Sequence, residues 1–220
     1  MTDFVAFPKI ARFSREVIVT EKIDGSNAQV FIEPFCNPGY EGPNGPYDQQ
    51  PDGSGWYSEL SGTIHAKLAG VVYTLKPGSR NQWLVPGKSD NFGFAGWVRD
   101  NAAELVKLGP GRHYGEWWGS GIQRGYGLLK GEKRFSLFNV VRWTDDAERP
   151  ACCHVVPALC QPILLDALNV PLLMLALAER GSLAAPGFMK PEGIVIFHAQ
   201  GNVAFKKTFE KDAAGKERGA

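Results

Sequence analysis

Residues 17–35 read VIVTEKIDGSNAQVFIEPF, and no other stretch limits the fold as strongly. Two runs, 17–22 and 27–35, are rich in the β-branched and aromatic residues that favour strands. Between them stands Asp24-Gly25, a turn signal. A strand, a tight turn and a second strand call for a sheet, and Lys22 falls where the first strand runs into the turn. A lysine there is held rigidly and partly shielded from water. Both conditions suit an amine that must be neutral to attack an electrophile.

Downstream, residues 113–118, 135–143, 193–199 and 203–210 also read as strands, with Gln200-Gly201-Asn202 turning the last two into a hairpin. Residues 92–108 carry Phe94, Trp97, Val98, Ala102, Leu105 and Val106 at helical spacing, with Asp90 or Asn91 as N-cap. Residues 159–178 read as a helix broken at Pro171. Residues 36–56 hold five glycines (39, 42, 45, 53 and 55) among several prolines and read as a long irregular loop. No repeat or linker interrupts the chain. These elements predict one α+β domain over residues 1–220, built on antiparallel sheet.

Composition narrows the function more than the fold. The formal net charge is +1, so a nucleic-acid partner would have to be met by positive residues gathered on one face. Cys36, Cys152, Cys153 and Cys160 contain no C-x-x-C pair, which removes zinc-type spacing. They read as reduced thiols. The N-terminus, MTDFVAFPKIARF, lacks the apolar core of a signal peptide. The longest apolar run, residues 170–178, falls well short of the roughly 20 residues that a membrane span needs. A monomeric cytoplasmic protein without membrane contact is the expectation.

Four motifs carry chemistry. Lys22-Ile23-Asp24-Gly25 is a K-x-D-G pattern. Residues 114–126 read YGEWWGSGIQRGY and are followed by KRFSLFNV at 133–140. Glu192-Gly193-Ile194-Val195-Ile196 is the third, and Phe205-Lys206-Lys207-Thr208-Phe209 the fourth. Each has a plain alternative. K-x-D-G also describes a solvated surface turn, Glu116 a rim charge, and Phe138, beside Leu137 and Val140, a core residue. Trp117 and Trp118 read as packing, and His154 beside Cys152 and Cys153 as structural. Lys206 and Lys207 are neighbours on one strand and face opposite sides, so only one can serve a given site.

In this order, and with EKIDGSN, SRN at 79–81, PEGIVIF and AFKKTFE, the chain resembles the covalent nucleotidyltransferase superfamily. Within it the closest resemblance is to the RNA ligase 2 family of ATP-dependent polynucleotide ligases, from residue 21 to about 210.

The resemblance implies an adenylyltransferase fold, an ATP-grasp-like nucleotidyltransferase domain of antiparallel sheets with flanking helices. It implies that Lys22 attacks the α-phosphate of ATP and becomes lysyl-AMP. Glu21 and Ile23 would bind the nucleotide, Glu21 at the adenine edge largely through its backbone. Asn27 would sit near the reacting phosphate, and Arg80 would hold the nucleotide or a 5′-phosphate end. Glu116 would bind the ribose and Phe138 would stack on adenine. Lys206 or Lys207 would contact the α-phosphate, the position after Ala204-Phe205 selecting Lys206. Glu192 and Asp24 would hold a divalent cation, Mg2+ or Mn2+. The implied partner is a nicked or broken strand of RNA or DNA.

Elementary chemistry agrees with these roles. ATP is multiply charged, so attack needs cations around it. Magnesium prefers carboxylate and phosphate oxygens. Aromatic rings stack on any base, so selection of ATP must come from edge contacts. Two residues depart from the family pattern. Asn139 stands where aspartate usually follows the stacking aromatic, and Thr208 where a K-x-K pattern puts its second lysine. Neither an OB-fold nor a C-terminal helical domain fits within the chain. Three other readings are a minimal DNA nick ligase, a GTP-using capping guanylyltransferase, and a non-catalytic nucleotide or nucleic-acid binding relative.

Overall fold

The computed structural model describes residues 6, 7, 10–35, 56–58 and 63–210. Its strands are β1 (Glu16–Lys22), β2 (Ser26–Pro34), β3 (Trp56–Ser58), β4 (Thr63–Leu68), β5 (Val71–Gly78), β6 (Gly111–Gly119), β7 (Lys133–Leu137), β8 (Cys153–Val155), β9 (Ile163–Leu164), β10 (Gly193–His198) and β11 (Val203–Thr208). The helices are α1 (Phe94–Asp100), α2 (Ala102–Leu105), α3 (Val140–Trp143) and α4 (Val170–Arg180), with tighter 3-10 turns at Val106–Leu108 and Leu165–Ala167. The chain divides into two compact units. The first comprises Met1–Ile23 and Pro157–Ala220, the second Asp24–Val156. The expected loop over 36–56 lies outside the described residues apart from Trp56, as does Cys36.

The first unit is a four-stranded antiparallel sheet in the order β11-β10-β1-β9. Val17 and Val19 of β1 and Ile194 and Ile196 of β10 share one face, where Leu177 of α4 covers them. Alternation sends Ile18, Thr20 and Lys22 to the other face. Strand β11 is the outer edge and is exposed from Val203 to Lys207. The expected hairpin is present, closed by Asn202 N donating to Ala199 O at 3.2 Å.

The helix expected over 159–178 is corrected. It spans Val170–Arg180, and part of the preceding stretch forms β9. Pro171 does not break it but opens it, since in the first turn the missing N–H has no partner to lose. Asn169 caps it, its Oδ1 accepting from Leu172 N at 3.0 Å.

The second unit is a seven-stranded sheet in the order β3-β4-β5-β2-β6-β7-β8, antiparallel except for β7 and β8. Ala28, Val30 and Ile32 of β2 alternate toward a core shared with Ile64, Leu75, Trp117 and Phe135. The 92–108 segment closes this face through Phe94, Val98, Leu105 and Leu108, all without solvent exposure. It is not one helix: α1 ends at Asp100 with Asn101 as its C-cap, and α2 and a 3-10 turn follow. The N-cap is Gly93, neither Asp90 nor Asn91: Asp90 supports the start from outside the helix, accepting from Gly96 N at 2.9 Å, while Asn91 and Phe92 have positive φ. Ring centroids of Phe94, Trp97, Trp117 and Phe135 lie 5.2–5.8 Å apart, the range of favourable aromatic packing. Trp118 is buried as well, so both tryptophans are packing residues.

The strand expected over 135–143 stops at Leu137. Asn139 turns the chain into α3, its Oδ1 accepting from Arg142 N at 3.1 Å. The departure from the family's aspartate therefore leaves a competent helix cap in place.

Candidate functional site

In the first unit, Lys22 ends β1 and Glu192 precedes β10. The β1–β10 register puts Lys22 opposite Gly193 and so brings together residues 170 apart in sequence. Lys22 Nζ donates to Glu192 Oε2 at 2.5 Å, with 24% and 18% of the two side chains exposed. The pair is thus sheltered yet open on one side. Gly193 is required at this point. Its φ is +154°, and a Cβ would lie 2.1 Å from Lys207 O.

The same register sorts the two C-terminal lysines. Thr20, Val195 and Lys206 form one cross-strand row, and Glu21, Ile194 and Lys207 the next. Directly opposed residues project to one face, so Lys206 shares the face of Thr20 and Lys22 while Lys207 shares that of Glu21. Thr208 lies in the row of Lys22 and Gly193, its hydroxyl donating to Glu210 O at 2.6 Å.

Glu21 is 1% exposed. Its Oε2 accepts from Leu183 N at 2.8 Å and Ala184 N at 3.0 Å, and its own N–H donates to Pro157 O. Oε1 is buried with no hydrogen-bond partner among the described residues. Ile23 is a buried side chain and can offer a ligand only its backbone.

In the second unit, Glu116 of β6 lies opposite Asn27 of β2. Its Oε1 accepts from Gly25 N at 3.1 Å and its Oε2 from Asn27 Nδ2 at 3.0 Å. Arg80 extends the relay: its Nε donates to Asn27 Oδ1 at 2.8 Å, and Nη2 bonds the same oxygen. Arg80 is exposed, whereas Glu116 is 7% exposed. Glu116 is therefore not a rim charge. Gly25 permits the close approach, since a Cβ there would lie 2.5 Å from Trp117 O. Phe138 is 42% exposed and its N–H donates to Tyr114 O, so its ring is not part of the core.

Asp24, expected at a metal, instead pairs with Arg124, whose Nε lies 3.0 Å from Oδ2. Asp24 N donates to Tyr126 Oη at 2.8 Å. Arg124 and Tyr126 thus hold the turn that follows Lys22, a role the sequence reading did not assign. Their signal was the glycine-dense 119–127 stretch, where Gln123 and Tyr126 also take positive φ.

Among the described residues no group of three or more His, Cys, Asp and Glu side chains is arranged to hold a metal ion. One carboxylate, Glu192, beside an amine fits a magnesium-type ion that completes its shell with substrate phosphates and water.

A family model described as RNA ligase matches residues 15–210. The chain belongs to the RNA ligase family. Every motif residue discussed above lies within that match. No curated protein sequence matches the chain. Solved structures do. A mutant of Naegleria gruberi RNA ligase with ATP and Mn is 19% identical with a TM-score of 0.52, the match covering 89% of this chain and 49% of that one. A second mutant of that ligase, with AMP and Mn, is 19% identical with a TM-score of 0.51 over 89% of this chain and 50% of that one. An apo mutant is 20% identical, with a TM-score of 0.50 over the same shares. The chain spans about half the length of the solved chains it matches. At this identity the likeness shows the fold: the α+β, antiparallel-sheet architecture of an RNA ligase catalytic domain. No helix among the described residues is long and apolar enough to cross a membrane.

Proposed function

We propose that this RNA ligase family member is an ATP-dependent ligase of the RNA ligase 2 type, with Lys22 as its covalent nucleophile, and that both units act as one catalytic domain. The observation that carries the reading is the Lys22–Glu192 pair, a sheltered amine on a carboxylate at a strand end with Lys206 on the same sheet face.

In the first step, Lys22 Nζ forms a bond to the α-phosphorus of ATP, the bond from that phosphorus to the bridging oxygen breaks, and pyrophosphate leaves. Glu192 orients the amine and takes up a proton from Nζ as the N–P bond forms. Lys206 and Arg80 offset the charge that gathers on the phosphate oxygens. Phe138 stacks on the adenine, Glu116 binds the ribose, and Glu21 lines the adenine edge. Glu192 is also the residue that would hold Mg2+ or Mn2+, which supplies charge neutralisation at the phosphates.

AMP then passes from Lys22 to the 5′-phosphate of a strand. Attack by a 3′-hydroxyl forms the phosphodiester and releases AMP. The neutral-amide relay through Asn27 keeps Arg80 extended and exposed, as a phosphate contact requires.

The test is intact mass after incubation with ATP and magnesium. The unaltered protein gains one AMP, and Lys22→Ala gains none while keeping its fold by circular dichroism. AMP labelling of Lys22→Ala would remove the assignment. Labelling with GTP in place of ATP would move the chain to the capping-type reaction. Sealing of matched nicked RNA and DNA duplexes then separates an RNA ligase from a minimal DNA nick ligase.

A further inference from the structure

The face of the large sheet that carries Asn27 and Glu116 continues away from them. Alternation along β2 puts Gln29 and Phe31 on that face, and the β6 register puts Tyr114 opposite Gln29 and Arg112 opposite Phe31. No helix closes this stretch among the described residues: Tyr114 is 52% exposed and Trp83 45%. Its groups are nevertheless fixed. Trp83 pairs with Gly78, where a Cβ would lie 2.9 Å from Gln29 Cγ and 3.1 Å from the indole, so glycine eases the close approach of that ring to the strand. The Arg112 guanidinium lies 4.8 Å from the Phe31 ring centroid and 5.2 Å from that of Trp83.

Charge on the strip is available. Arg112 donates to Gln29 Oε1 at 3.0 Å and Arg80 to Asn27 Oδ1, both neutral acceptors that orient a guanidinium without cancelling its charge. Half-exposed aromatic faces beside two such cations are the composition that binds single strands, where unstacked bases lie on rings and phosphates meet guanidinium groups. A duplex keeps its base faces inside and has no use for exposed rings.

We propose that Trp83, Arg112, Phe31 and Tyr114 form a docking strip for single-stranded RNA, which leads a strand end toward Arg80. RNA is the occupant because the chain belongs to the RNA ligase family and because the strip continues the face that carries Asn27 and Glu116. This rests on the ligase reading for its purpose, but not for its measurement.

The experiment uses the full chain and a fluorescein-labelled single-stranded oligouridylate. Anisotropy is read across salt concentrations, with ATP-dependent AMP labelling measured in parallel without RNA. Trp83→Ala weakens RNA binding about tenfold, the loss of one stacked base, and Trp83→Phe keeps most of the affinity. Arg112→Gln lowers the slope of log affinity against log salt by about 0.7, one phosphate contact on a single strand. AMP labelling is unchanged in all three. The strip is overturned if Trp83→Ala and Arg112→Gln bind RNA like the unaltered chain while labelling normally. It is overturned equally if Trp83→Phe fails to keep what Trp83→Ala loses, or if a blunt RNA duplex suffers the same loss. An unaltered chain that takes no AMP counts against the ligase reading alone, since the RNA arm reads the strip directly.

Discussion

In the seven-stranded sheet, one face is sealed by a continuous aromatic and aliphatic core and the other carries Asn27, Glu116 and Arg80 in a hydrogen-bonded relay. In the four-stranded sheet, the core is a thin layer beneath α4. The opposite face carries Lys22, and the outer strand lies open to solvent. The first arrangement holds Glu116, Asn27 and Arg80 on a well-packed platform, Asn27 donating to Glu116 and accepting from Arg80. The second presents an amine, its carboxylate and, on the same sheet face, Lys206, the groups to which the proposed reading gives bond making and charge stabilisation. On that reading stability and chemistry are concentrated in different parts of the chain, and substitutions can test that separation.

The largest effect should come from the platform. Trp117 is 2% exposed and touches the Phe94 and Trp97 rings. Trp117→Ala should cost about 3–5 kcal/mol of stability, read as a lower urea midpoint. A loss below about 1 kcal/mol would mean that this core is not the rigid half.

Next comes the chemical half. Lys206→Ala should slow single-turnover AMP transfer by about 10²–10³, the usual loss when one charge-stabilising donor is removed, and leave the urea midpoint nearly unchanged. Lys207→Ala should spare that step and at most weaken strand binding in a salt-dependent way. A dead Lys207→Ala beside an active Lys206→Ala would reverse the facing read from the β10–β11 register.

Phe138 tests the boundary between recognition and packing. Phe138→Ala should raise the ATP requirement about tenfold to a hundredfold through lost stacking of roughly 1–3 kcal/mol. Because the ring is 42% exposed, stability should barely move. Unfolding of this variant at room temperature would make it a core residue after all.

The smallest effect is acid sensitivity of the platform. Burial holds His65 and His113 below the ordinary histidine value of 6.5, and Arg142 adds to the depression at His113. In the folded state both rings resist a proton that the unfolded chain accepts. Stability from this source is therefore complete above pH 6.5 and falls as pH drops through it. Urea midpoints at pH 7.5 and 5.5 should differ in that direction, and His113→Gln should narrow the gap. A midpoint that rises on acidification would contradict the sign.

Much of this separation is legible in the sequence where local preference and tertiary structure agree. The β-branched runs flanking Asp24-Gly25 become β1 and β2, and the 200–202 turn joins β10 to β11. Failures occur where one side chain redirects the backbone. Asn139 ends β7 by capping α3, and Asn169 with Pro171 starts a helix where a break was expected. The site divides in the same way. Lys22 is marked by its motif. Its meeting with Glu192, however, depends on a strand register across most of the chain, and the grip of Arg124 and Tyr126 on Asp24 spans about a hundred positions. No local pattern encodes those distances.

The Lys22–Gly193–Thr208 row also makes the nucleophile a matter of parity. Deleting one residue from β1 would send Lys22 toward α4 and turn the carboxylate of Glu21 outward in its stead, leaving the composition of the strand almost intact. Deleting two would restore the facing but move the amine about 6.8 Å along the strand. Relatives that remain active should therefore tolerate exchanges of residue type within β1 far more readily than any change in its length, and an odd change least of all.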